Sequence, residues 1–206
     1  MSKKFLILLF LIPFQLMFAQ KSLLKDFPEG YTPKEIGKRI AYRFLTEKHA
    51  LHVGKWIGYP ETFYWSGALR YADGAKDKEL IQRLQEKFDF LFTEEKILQP
   101  IMNHVDLNMF GSLPLEFYLV TKDLKYRYLG LPYADSQWEL PRNAKPHEKE
   151  WAEKGYSWQT RLWIDDMYMI TIVQTRAYKV TKDKKYIDRA AKEMVMYLDE
   201  LQRPNG

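Results

Sequence analysis

Residues 118–126, Tyr-Leu-Val-Thr-Lys-Asp-Leu-Lys-Tyr, return sixty positions later as residues 178–186, with seven of the nine identical. A looser copy occupies residues 71–78, Tyr-Ala-Asp-Gly-Ala-Lys-Asp-Lys. An internal repeat constrains the architecture more than any composition, because each copy must pack in the same way against its neighbours. Each copy follows an apolar run and precedes an amphipathic one. Before the last copy, Met167, Ile170, Val173, Gln174 and Ala177 recur at helical spacing; after it, Tyr186, Ala190, Met194, Tyr197 and Leu198 do the same. Thr-Lys-Asp therefore reads as a turn between two helices. The Asp side chain is placed to accept from the free amides that open the second helix. Period-two alternation is hard to find, so the expected fold is all-α.

Hairpins of about 50–60 residues can stack as an open solenoid or close into an α/α toroid, whereas tetratricopeptide units of about 34 residues do not fit the period. Residues 131–155 read as a long irregular connection of the kind that carries function on a rigid frame. About three hairpins are legible before Arg203, Pro204, Asn205 and Gly206. A Pro-Asn-Gly turn normally delivers the chain to another element, so the expectation is a truncated sequence.

Lys3 and Lys4 precede an apolar stretch, residues 5–18, broken at Pro13 and followed by Ala19 and Gln20. This predicts a secretory signal peptide over residues 1–19, hence export to the periplasm or beyond, and a domain over residues 20–206. The stretch is short for the ~20 residues of a spanning helix, so no membrane association is expected. The chain has no cysteine, which excludes thiol catalysis, zinc–thiolate sites and a lipid-modified cysteine. Its net charge of +5 is spread among interspersed acidic residues, not clustered as on a nucleic-acid-binding face. His49 and His52 could share a helix face and read as structural. His104 lies beside Asp106 without an assignable role.

Residues 161–169, Arg-Leu-Trp-Ile-Asp-Asp-Met-Tyr-Met, resemble the tryptophan–aliphatic–aspartate–x–x–aromatic–methionine motif of the unsaturated glycuronyl hydrolases, glycoside hydrolase families 88 and 105. Residues 105–111, Val-Asp-Leu-Asn-Met-Phe-Gly, are similar to the first aspartate motif of those enzymes. Residues 64–67, Tyr-Trp-Ser-Gly, are similar to a segment of their first inner helix. The resemblance implies an (α/α)6 toroid, of which this chain holds the N-terminal half. It also implies removal of a terminal 4,5-unsaturated uronic acid from lyase-generated oligosaccharides, with no metal and no organic cofactor. Carried over by motif, Asp165 is the acid/base, Asp106 its partner, and Trp163 and Tyr64 line the sugar site. Where the family often has a histidine, about ten residues before the second aspartate, this chain has Lys154, Gly155 and Tyr156.

Repeat register points elsewhere by one residue. Asp106 lies twelve residues before Tyr118, and Asp166 lies twelve before Tyr178. Motif favours Asp165 and register favours Asp166. Plainer alternatives stand beside these readings: Asp106 as a helix cap, Trp163 and Tyr64 as core aromatics, and the chain as a non-catalytic helical repeat protein that binds glycans or a protein partner. A toroidal glycosidase or isomerase acting on intact sugars is a third.

Overall fold

The repeated turns are helix stops held by the same bonds each time. The computed structural model describes residues 26–205; the signal peptide expected over residues 1–19 lies outside them. Among the described residues two units are distinguished, 26–36 and 37–205. In the first, Tyr31 N–H donates to Pro28 O in a turn, and helix α1 (Pro33–Thr46), which from Gly37 onward belongs to the second unit, opens on a reciprocal cap. Glu35 N–H donates to Thr32 Oγ1, and Thr32 N–H donates to the Glu35 carboxylate.

The second unit contains a two-stranded antiparallel hairpin, β1 (Leu51–His52) and β2 (Trp56–Ile57), then α2 (Tyr59–Gly74), α3 (Lys78–Asp89) and α4 (Val105–Asn108). A 3₁₀ turn joins α4 to α5 (Ser112–Thr121). There follow α6 (Leu124–Ser136), α7 (Pro146–Glu153), α8 (Ile164–Thr181) and α9 (Lys184–Leu201). Three helical hairpins result, α2–α3, α5–α6 and α8–α9, with α5 also packed on α2 and on α8. The architecture is all-α apart from the one small hairpin. His49 and His52 do not share a helix face, because positive φ at Val53 and Gly54 turns the chain back on itself.

At the turns, Lys76, Lys122 and Lys182 adopt the left-handed conformation, at φ +56, +64 and +62°. The next residue then caps the following helix. Asp77 accepts from Leu80 N–H, Asp123 from Lys125 N–H and Asp183 from Lys185 N–H, each at 3.0 Å. The closing tyrosine of the repeat explains why the copy is so faithful. Tyr126 donates to Asp89 Oδ1 at 2.8 Å, and Tyr186 donates to Asp135 Oδ1 at 3.0 Å, so each outer helix is tied to the preceding one. Replacing Asp123 or Asp183 by Ala should lower stability by about 1 kcal/mol each, nearly additively, whereas Asn should retain most of it. Chemical denaturation midpoints measure this.

Trp65, Phe88, Phe110, Phe117, Tyr126 and Tyr133, all buried, form the core among α2, α3, α5 and α6. Its tightest point is a backbone approach. A Cβ on Gly111 would lie 2.3 Å from Tyr133 Cβ, and one on Gly130 would lie 2.6 Å from Leu115 Cγ. That closeness explains a departure from expectation: residues 131–155 are not one irregular connection. α6 continues through Pro132 to Ser136, and α7 lies within the remainder. Proline removes one helical bond, but burial of Gly130, Tyr133 and Ala134 against the core holds the helix through it. In α9 the buried stripe is shifted too. Met194 and Leu198 are exposed, while Glu193 and Met196 are buried, for a reason that belongs to the site.

Candidate active site

The chain enters α8 through a strained step. Leu162 is held at φ +59°, a conformation unfavourable for a branched side chain, and Trp163 follows as an extended N-cap. This bend turns the Arg161 side chain back towards the helix start. Its Nε and Nη2 donate to the two oxygens of Asp166 at 2.9 and 2.6 Å. The same Nη2 donates to Asp106 Oδ1 at 3.0 Å. Nη1 lies 3.2 Å from His104 Nε2, and the guanidinium sits 4.5 Å from the centre of the Trp163 ring. One cation thus ties the opening turn of α4 to the opening turn of α8.

Asp166 is fully buried. Burial pushes its carboxyl above the ordinary range; Arg161 pulls it back, and Asp165 and Asp106 push it further up. Arg161 is held well above its usual value, chiefly by its bond to Asp166. Burial lowers His104, with Asp106 opposing and Arg161 reinforcing. Arg161 Nη1 faces His104 Nε2, and the Asp106 N–H faces Nδ1 at 3.2 Å; a neutral imidazole accepts at one of these two nitrogens and not at both. Two carboxylates, from two different helix starts, share one guanidinium here.

The positions named from sequence fall as follows. Asp106 sits in the first turn of α4, but the cap is His104, and the Asp106 carboxylate goes to Arg161 instead. Asp165 is exposed in the first turn of α8. It shares a helix face with Tyr168, three residues on. Tyr168 stacks on Phe63 of α2 at 5.5 Å, and both border a hollow of about 150 Å³ between α2, α5 and α8. At its floor Glu116 pairs with Arg176 and, at 3.2 Å, with Arg70. Trp163 and Tyr64 are each 60% exposed, so neither is a core aromatic; Trp65 is the buried one. Trp163 adjoins the acidic group through Arg161. Tyr64 instead borders a hollow with Ile40 and Phe44 of α1, and Phe63 is the α2 ring that meets α8.

Arg161 itself carried no assigned role in the sequence, although it was the one cation inside the motif. Glu193 gave no signal, since it occupies an ordinary charged position in α9. It is buried because it anchors the segment leading to Arg161: Ser157 N–H donates to Glu193 Oε2 at 3.0 Å, and Thr160 Oγ1 lies 2.5 Å from Oε1. His49, also structural, lies between Glu61 (2.6 Å) and Glu95 (3.1 Å) and stacks on Trp65.

Burial raises the Glu193 carboxyl, against hydrogen bonds from Thr160 and Ser157 and the charge of Lys192. A carboxyl raised in the folded state contributes stability that is present below its unfolded value, about 4.3, and lost as pH rises through the folded value. Gln can accept from Ser157 and donate to Thr160, whose own hydrogen, shared with Glu193 in the wild type, then turns to Ser157 O. Glu193→Gln should therefore match the wild type in acid and exceed it increasingly at higher pH. The slope should not exceed ~1.4 kcal/mol per pH unit. Thermal denaturation from pH 4 to pH 8 is the measurement.

Residues 33–205 match the family model described as Glycosyl Hydrolase Family 88. No curated protein and no solved structure matches the chain.

Proposed function

The chain belongs to glycosyl hydrolase family 88, a family of α/α-toroid glycoside hydrolases, and from that premise we propose that it removes the terminal 4,5-unsaturated uronic acid from oligosaccharides left by a polysaccharide lyase. The bond cleaved is reached indirectly. Asp165 donates a proton to C4 of the enol ether, and positive charge develops at C5 and the ring oxygen. Water adds its oxygen to C5 and gives up a proton to the Asp165 carboxylate. The resulting hemiketal opens and releases the next sugar.

Protonating carbon calls for an acid that keeps its proton near neutral pH and stands within reach of the reacting atom. The observation that carries this reading is the Arg161 bridge, which gathers Asp106 and Asp166 from two adjacent helix starts, beside the exposed Asp165. Asp106 acts as the partner carboxylate. Trp163, flat, exposed and backed by a cation, offers a pyranose face a platform. Export, expected from residues 1–19, accords with a substrate produced outside the cytoplasm.

Paired substrates test the reaction type. Lyase-generated oligosaccharides should release sugar, while the same oligosaccharides with saturated ends should not. Release from saturated ends would favour a glycosidase acting on intact sugars.

A further inference from the structure

Beside the acidic group lies a second cleft, of about 130 Å³, lined by Asn103, His104, Lys145, His147, Gln159 and Arg161 among others. Gln159 is 5% exposed, yet neither its amide oxygen nor its amide nitrogen has a partner in the protein. Among the buried side chains of the described residues it is the only one left without partners at both ends. Its neighbours in the same polar seam are bonded: Trp158 donates to Ser136 O at 2.7 Å, Ser157 to Gln137 O at 2.9 Å, and Thr160 to Ser157 O at 2.8 Å. A buried amide left unpaired is expensive to keep. One that presents a donor and an acceptor side by side matches adjacent sugar hydroxyls, each of which can both give and take a hydrogen.

We propose that this cleft is the subsite for the sugar attached to the unsaturated uronic acid, with Gln159 bonding two of its hydroxyls and Lys145 and His147 at the rim. The location is what links it to the reaction. His104 and Arg161 form one wall, and both reach Asp106, so a ring seated here is the immediate neighbour of one poised beside the acid. Lys145 and His147 are exposed and come from the end of the α6–α7 connection and the first turn of α7, so the outer edge of the subsite is set by that connection. The inference rests on the reading given under the proposed function.

The test compares two substrates with the full chain: an unsaturated disaccharide from a lyase digest, and the methyl glycoside of the same unsaturated uronic acid, which has nothing to place in the cleft. Gln159→Leu should lower kcat/KM for the disaccharide by about 10- to 100-fold and leave the methyl glycoside within about twofold, in line with one or two lost hydrogen bonds to a substrate hydroxyl. Because the change removes unpaired buried polar atoms, Tm should hold or rise by ~2–4 °C. Gln159→Met should behave alike, and guards against a shape effect peculiar to leucine. Equal losses on both substrates, or no loss on either, overturn the subsite. A wild type that turns over neither substrate overturns the functional reading beneath it, and the subsite falls with it.

Discussion

Asp165→Asn should reduce kcat on an unsaturated oligosaccharide by about 100- to 10,000-fold, the range a positioned general acid contributes, with stability within about 0.5 kcal/mol of the wild type because the side chain is exposed. Asp166→Asn should show the reverse balance. Asp166 is fully buried and bonded twice by Arg161, so its loss weakens the opening turn of α8 and shifts Tm, while a fraction of turnover survives. The contrast separates two aspartates that are adjacent in sequence but point about 100° apart around the helix. Wild-type turnover by Asp165→Asn, with Asp166→Asn inactive, would move the acid to the residue favoured by repeat register.

Arg161→Met should cost about 2–3 kcal/mol of stability and most of the activity. It strands the buried Asp166 carboxyl without its cation and frees Asp106 from α8. That loss is at or below the usual range for breaking a buried pair, because Arg161 keeps a quarter of its side chain in solvent. Removing the buried charge as well should be gentler than removing the cation alone. The double variant Arg161→Met/Asp166→Asn should regain at least 1 kcal/mol over Arg161→Met in urea denaturation. If the double variant is no more stable than the single, the guanidinium is not what compensates Asp166.

The helical hairpins were legible because their turns are written three times, and the structure supplies the reason: the Asp caps, and the tyrosines that tie Tyr126 to Asp89 and Tyr186 to Asp135. Side-chain spacing alone could not show that α6 survives Pro132, since what holds it is the close approach of Gly111 and Gly130 across helices. The acidic group was legible as residue types but not as geometry. Helical period puts Asp165 and Asp166 on different faces without saying which one turns inward. That choice is made by Arg161, whose direction depends on the left-handed Leu162 and on the Glu193 anchor beneath Thr160. Tyr64 and Phe63 pose the same problem on α2, where neighbouring aromatics face different hollows. Glu193 and Gln159 look like surface residues in the sequence, and only tertiary contacts show them buried.

The most direct measurement follows ultraviolet absorbance of the conjugated C4=C5 bond during incubation of the wild-type protein with lyase digests of pectic, glycosaminoglycan and ulvan polysaccharides. Hydration of the enol ether predicts that absorbance disappears on at least one digest, in step with release of one sugar per double bond lost. A folded protein that leaves the absorbance unchanged on every digest would contradict the assignment of carbon protonation to these aspartates.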